Sequence, residues 1–226
     1  QVGVVNVTTG PGGLNTLTGV MGQWTDSIPA IYVSGQVKRT TTLDACRQLP
    51  LRQLGDQEVD ILPVVRPLVK YAVSLQDPSR VRFEVEKAFH LALEGRMGPV
   101  WIDVPMDIQG ALVDPERLEG FVPPDPVLEE LEMGPLVERL LASRRPAVVA
   151  GHGLRLAGQR DALERLLARL GVPVLGTFNG FDLIPDDHPS CCGRIGTLGT
   201  RGGNFTLQNA DFLLFLGTRN NIRQVS

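Results

Sequence analysis

Aromatic residues make up only 5% of this 226-residue sequence, and only three residues are cysteine. Cys46 stands alone and Cys191 adjoins Cys192. Neighbouring cysteines rarely bridge each other and the count is odd, which argues against a disulfide scaffold; reduced thiols are expected. The three histidines, His90, His152 and His188, are scattered, so no zinc site can be argued and no metal ligand is assigned. No Ser-His-Asp set stands out either. Like charges do not gather into a basic block, and net charge is −3 with a pI near 5.7. That balance argues against a nucleic-acid partner. No apolar run reaches the ~20 residues of a membrane-spanning helix, and no signal peptide is visible. A cytoplasmic protein with no membrane partner is the expectation.

Hydrophobic residues make up 42% and charged residues 21%, enough apolar content for a packed core. The 25 glycines and 17 prolines fall between apolar runs and read as turns. The chain starts at Gln1 inside a strand-like run and stops at Ser226 just after another. Both ends look cut, so a piece of a longer protein is expected.

Strand-like runs occur at Val2–Val7, Ala30–Val33, Val100–Val104, Ala147–Ala150, Val172–Leu175 and Phe212–Leu216. Helical patterns lie between them. In Ser79–Glu94 the apolar positions Val81, Val85, Ala88 and Ala92 step by four, three and four, and leucines 163, 166, 167 and 170 share one face. Continuous apolar strands alternating with amphipathic helices predict parallel sheets covered on both sides. The stretch Asp114–Pro135 carries five prolines and six acidic residues from Glu116 to Glu132, and reads as a stiff linker. The fold class expected is therefore α/β, with two consecutive three-layer domains, 1–113 and 136–226, joined by 114–135.

The motifs are individually modest. "GPGGLN", Gly10 to Asn15, follows the first strand and opens a helical segment. Its glycines permit positive φ and close approach of backbone to another molecule. It has no Lys-Ser/Thr pair and no GxGxxG spacing, so it is neither a Walker loop nor a dinucleotide fingerprint. Read alone, it is first a plain strand-to-helix turn and second a ligand contact. "VSGQV" ends the next strand and puts Gln36 where parallel sheets face a ligand crevice. Arg96 in "GRMGPVWIDVP" either caps the preceding helix or reaches a ligand. "AGHGLRLAG" resembles a dinucleotide turn without the full glycine spacing, and His152 in it reads as a turn residue.

The order of the pieces carries more. "GPGGLNTLTGVMGQWTDSIPAIYVSGQV" closely resembles the pyrimidine-binding domain of thiamine diphosphate enzymes of the acetolactate synthase group, and "GRMGPVWIDVPMDIQ" looks like the close of that domain. "RPAVVAGHGLRLAG", "LGVPVLGTFNGFDLIPDDHP" and "GTLGTRGGNFTLQNADFLLFLGTRNNIRQ" look like the group's central domain. The resemblance covers nearly all of the chain, in order. It implies that Gly10, Pro11 and Asn15 line the aminopyrimidine pocket and that Gln36 faces the reactive centre. It implies a 2-keto acid substrate such as pyruvate, a transferase or lyase reaction, and a homodimer or homotetramer. The group's catalytic glutamate lies upstream of the first strand. Its diphosphate and Mg²⁺ are held by a further domain with a GDG…N motif, and no GDG occurs here. The chain is thus expected to be the second half of a pyrimidine domain plus most of a central domain, inactive by itself.

Acetolactate synthases also place FAD on the central domain. The matching residues here are Gly151, Gly153, Thr177, Gly196, Thr197, Thr200, Gly217 and Arg219, with Arg96 reaching in from the first domain. The match is incomplete. Thr218–Arg223 lacks the two aspartates that the group carries, Met106 stands where it has lysine, and the loop "TTTLDACRQLPLRQLGDQEVD" looks longer. These departures point to an acetolactate synthase-like paralogue; the function expected is that of a carboligase or decarboxylase of 2-keto acids, with another thiamine diphosphate lyase or decarboxylase, for example in polysaccharide biosynthesis, or a non-catalytic relative that keeps the fold as the alternatives.

Overall fold

The computed structural model describes residues 2–126 and 130–225, with the side chain of Val225 left aside. Gln1, Ser226 and residues 127–129 of the expected linker lie outside the described residues. The chain divides into two compact units, Gln1–Pro126 and Val127–Ser226.

The first unit runs β1 (Gly3–Val7), α1 (Pro11–Asn15), α2 (Leu17–Asp26), β2 (Ala30–Gln36), α3 (Ile61–Val65), β3 (Ala72–Ser74), α4 (Val81–Leu93), β4 (Pro99–Pro105) and α5 (Met106–Gln109). Its four strands pair in the order β1-β2-β4-β3, all parallel. Strand alternation divides the core. Ala30, Tyr32 and Trp101 pack with Val20 of α2 and with Ile61 and Val65 of α3. Ile31, Val100 and Ile102 point the other way, onto Ala88 and Ala92 of α4 and Ile108 of α5. Helices cover both faces because both faces of β2 and β4 are apolar. β1 and β3 are the edge strands of the described sheet, and Val4 on β1 is exposed.

The second unit runs α6 (Gly134–Ala142), β5 (Pro146–Ala150), α7 (Gly153–Leu156), α8 (Arg160–Leu170), β6 (Val174–Gly176), β7 (Cys191–Arg194), α9 (Arg201–Asn209), β8 (Phe212–Leu216) and α10 (Ile222–Val225). Its sheet order is β7-β6-β5-β8, again parallel. Leu163 and Leu167 of α8 pack on Val148, Ala150 and Val174. Ala147, Val149 and Leu175 face the other layer, with Leu207 of α9 against them. Full burial contributes ~1.5–3 kcal/mol for each such leucine. α8 stops at Gly171, whose φ of 62° closes the helix in the left-handed region. Two parallel α/β layers systems are therefore present, as the alternation of apolar runs predicts.

Two strands, β3 and β7, are absent from the sequence expectation. They are only three and four residues long, with mixed composition, and so give no periodicity to read. Within the proline-rich stretch, residues 118–121 pack on α4 and its preceding turn. The Phe121 ring stands edge-on to Phe83 at 5.5 Å, its N–H donates to Glu86 Oε2 at 2.7 Å, and Arg80 pairs with Glu119 at 3.3 Å. Compactness thus carries the first unit past residue 113. The three cysteines are free and half-buried.

Candidate active site

At the carboxyl ends of β1 and β2 the structure brings Gly10, Pro11 and Gln36 together. The sheet register places Val7 beside Ser34 and so sets the turn after β1 next to the end of β2. Thr9 Oγ1 donates to Gln36 Oε1 at 2.8 Å, and the Val37 N–H donates to the same oxygen at 3.0 Å. Gln36 Nε2 donates to the Val59 carbonyl at 2.7 Å. Both ends of the amide are held, so Gln36 is a fixed group at the rim and not a freely rotating one.

Gly10 has φ 58°, and a Cβ there would overlap the carbonyl of Gln57. The glycine therefore serves the close approach of the segment 57–59, which folds over the turn. That segment is shaped by Glu58, a buried carboxylate accepting from the Gly55 N–H at 2.7 Å and the Leu54 N–H at 3.3 Å. What the turn leaves on the surface is Pro11, Leu14 and Asn15, all exposed and uncharged. Two apolar side chains and one amide suit a flat heteroaromatic ring with hydrogen-bonding edges. Nothing in α1 offers the cationic groups that a diphosphate asks for. Among the described residues no group of three or more His, Cys, Asp or Glu could hold a metal ion.

Asp103 is the residue that sequence reasoning passed over. It is 4% exposed on β4, opposite Ser34 on β2 and Ser74 on β3. Burial pushes its carboxyl up to about 6, while hydrogen bonds from Ser34, Ser74 and Gln36 pull the other way and nearby Asp60 pushes it further up. The signal was an aspartate inside the apolar run "VWIDVP", since a lone acid in a buried strand is costly and marks a site. Arg96 sits elsewhere in this unit. Its Nε donates to Ser27 Oγ at 2.7 Å, and Ser27 ends α2 at φ 59°. It thus holds the turn after α2, and does not cap the carbonyls of α4.

In the second unit the residues matched to a flavin fall into three groups. Gly151, Gly153 and Gly217 pack backbone to backbone, with the Gly153 N–H donating to the Gly217 carbonyl at 2.8 Å. A Cβ on any of the three would strike the facing turn, so their glycine character is explained within the unit. Thr177 is buried, its N–H bound to the Ala150 carbonyl at 3.0 Å. Gly196, at φ 99°, is pinned by Asn204, and Thr200 caps α9 by accepting from the Gly203 N–H at 3.1 Å. Thr197, Gly217 and Arg219 remain at the surface. His152 is a turn residue, its Nδ1 beside Arg155 at 2.9 Å.

Comparison with known proteins fits this geometry. Residues 1–63 match the family described as thiamine pyrophosphate enzyme, N-terminal TPP binding domain, and residues 134–226 match thiamine pyrophosphate enzyme, central domain. The chain is 31% identical to a probable acetolactate synthase large subunit of Methanocaldococcus jannaschii, covering 97% of this chain and 37% of that protein. It is 33% identical to a glyoxylate carboligase of Escherichia coli O157:H7, covering 97% and 36%. It is 31% identical to an acetolactate synthase large subunit of Lactococcus lactis, covering 100% and 38%. The chain thus spans between 36% and 38% of the length of these relatives. No helix among the described residues is long and apolar enough to cross a membrane.

Proposed function

The chain belongs to the thiamine pyrophosphate enzyme family, and from that premise we propose that its first unit forms the aminopyrimidine side of a thiamine diphosphate site in a carboligase or decarboxylase of 2-keto acids. The observation that carries the reading is Gln36, held at both ends of its amide beside the Gly10–Asn15 turn. When bound, thiamine diphosphate supplies the nucleophilic carbon and the electron sink that cleavage next to a keto group needs. The chain's own residues do the rest on this side. Pro11 and Leu14 present an apolar surface to the ring and exclude water from it. Asn15 offers one donor and one acceptor to its polar edge. Gln36, already oriented, needs no reordering when the ring arrives. The diphosphate and Mg²⁺ are assigned to residues outside this chain, in keeping with the uncharged character of α1. The substrate is proposed as pyruvate or glyoxylate, because relatives named for acetolactate synthesis and for glyoxylate carboligation are similarly distant.

The test is cofactor affinity in the full-length protein. Gln36→Ala is expected to weaken thiamine diphosphate binding ~10-fold, the loss of about 1.4 kcal/mol of polar contact, with the melting temperature little changed. Unaltered affinity in that variant overturns the reading. Consumption of pyruvate against glyoxylate then separates the two substrates, and consumption of neither favours a non-catalytic relative. We further propose a homodimer or homotetramer, supported by the exposed Leu14, Met21 and Trp24 of α1 and α2. Sedimentation that shows an active monomer refutes it.

A further inference from the structure

The segment "TTTLDACRQLPLRQLGDQEVD", residues 40–60, is the stretch that the proposed function leaves unused. Glu58 is its one buried residue, 6% exposed, while Leu49, Leu51 and Leu54 stand exposed. A loop that needed only packing would turn a leucine inward, since apolar burial stabilises and burying a carboxylate costs. Here the carboxylate is inside. Glu58 Oε2 accepts from the Gly55 N–H at 2.7 Å and Oε1 accepts from the Leu54 N–H at 3.3 Å. Its backbone carbonyl accepts from Gln53 Nε2 at 2.8 Å. Side chain and main chain of one residue thus close residues 53–58 into a tight turn.

The carbonyls on either side of Glu58 go to the site. That of Gln57 lies where a Cβ on Gly10 would overlap it, and that of Val59 accepts from Gln36 Nε2 at 2.7 Å. Three successive carbonyls are therefore assigned: Gln57 to the turn after β1, Glu58 to Gln53, and Val59 to the end of β2. Gln36 belongs to a strand, but the carbonyl that receives its NH₂ group belongs to a loop, and a loop carbonyl is only as fixed as the turn behind it. We propose that Glu58 is a positioning residue for the cofactor crevice: its carboxylate folds 53–58 into a brace that sets the Val59 carbonyl against Gln36. The proposal rests on the reading that Gln36 lines the thiamine diphosphate site. Gly55 is part of the brace. A Cβ there would lie 2.7 Å from Glu58 Oε2, the far end of a flexible side chain, so an added methyl displaces the carboxylate rather than the backbone.

The experiment uses the full-length protein, with thiamine diphosphate and Mg²⁺ as the probe. Calorimetric affinities are measured for the wild type, Glu58→Ala, Glu58→Gln, Gln36→Ala and the variant carrying both alanines. Melting and amide exchange are recorded without cofactor. Glu58→Ala is expected to bind ~10-fold more weakly, with faster exchange in 53–59 and a melting temperature little changed. Glu58→Gln should recover part of that loss, because its oxygen can keep the shorter bond to Gly55 while its NH₂ group replaces only the longer contact to Leu54. Glu58→Ala should add nothing in the Gln36→Ala background, since one acts through the other. A role confined to the loop would speed exchange in 53–59 and leave affinity alone. Unchanged affinity in Glu58→Ala, additive losses, or a loss that tracks an earlier melt each overturn the proposal. A weakened Gln36→Ala beside an unaltered Glu58→Ala sinks this inference alone, whereas an unaltered Gln36→Ala removes the pocket reading and this inference with it. If Glu58→Ala does not fold, Gly55→Ala takes its place, and wild-type affinity in that variant refutes the proposal.

Discussion

The rings of Tyr32 and Trp101 lie parallel, centroids 5.1 Å apart and planes 1° apart, on neighbouring strands of the first sheet. Trp101 is fully buried and its indole N–H supplies the polar layer above, so the pair joins the apolar core to the site. Trp101→Ala should destabilise the first unit by about 3–5 kcal/mol, because the cavity cannot close between two sheet neighbours. Tyr32→Phe keeps the stack and loses only the 2.7 Å hydrogen bond to Gln23, which should cost about 1 kcal/mol. Both tryptophans, Trp24 and Trp101, lie in the first unit. Urea unfolding followed by tryptophan fluorescence therefore reads that unit, with Trp24 as the remaining probe in Trp101→Ala.

The buried carboxyl of Asp103 makes stability depend on pH in an unusual sense. Its folded pKa is raised from 3.8 to about 6, so the folded state holds a proton that the unfolded chain releases. The resulting stability is fully present below about pH 4 and is lost as pH rises through about 6, a change of roughly 2–3 kcal/mol. Asp103→Asn is neutral throughout and lacks this loss. Urea titrations from about pH 4 to 7.5 should therefore show the variant gaining on the wild type as pH rises. A gap that stays constant would show that the carboxyl does not titrate in this window.

Gly10 and Gly22 should respond in opposite ways to alanine. At Gly10 the backbone is left-handed and a Cβ would overlap the Gln57 carbonyl, so Gly10→Ala should displace the segment 57–59. A cost of about 1–3 kcal/mol is expected, with faster proteolysis or amide exchange in that segment. Gly22 lies inside α2 with nothing within 4 Å of its would-be Cβ. Gly22→Ala should stabilise by about 0.5–1 kcal/mol. Hydrogen exchange of both variants is the check, and a silent Gly10→Ala would mean the loop is not braced by this turn.

Flavin occupancy is read from the visible absorption spectrum of the purified full-length protein. Thr197, Gly217 and Arg219 are exposed on the second unit, and guanidinium geometry suits a phosphate. A flavin held there should be structural. Its band should persist unchanged through turnover, and Arg219→Ala should lower the flavin-to-protein ratio. A band that bleaches with each turnover overturns the structural role, and a spectrum without the band takes FAD out of the account.

The sequence by itself determined the parts of this protein that follow from periodicity and punctuation. Runs such as "VWIDV" and "AVVA" are buried strands because nearly every side chain is apolar, and the leucines of α8 repeat at helical spacing. The strand-end position of Gln36 was legible for the same reason. Tertiary structure decided what those residues touch. The partners of Gln36 come from Thr9 and Val59, 27 and 23 residues away, and no local pattern encodes such pairings. The resemblance assigns Gly10, Gly151, Gly153 and Gly217 to ligand contacts, and in the structure each faces the backbone of another turn in its own unit. Asp103 was visible only as an oddity in an apolar run. Its hydrogen-bond partners emerge when the parallel register β2-β4-β3 sets two serines beside it, because register places side chains from distant segments on one face.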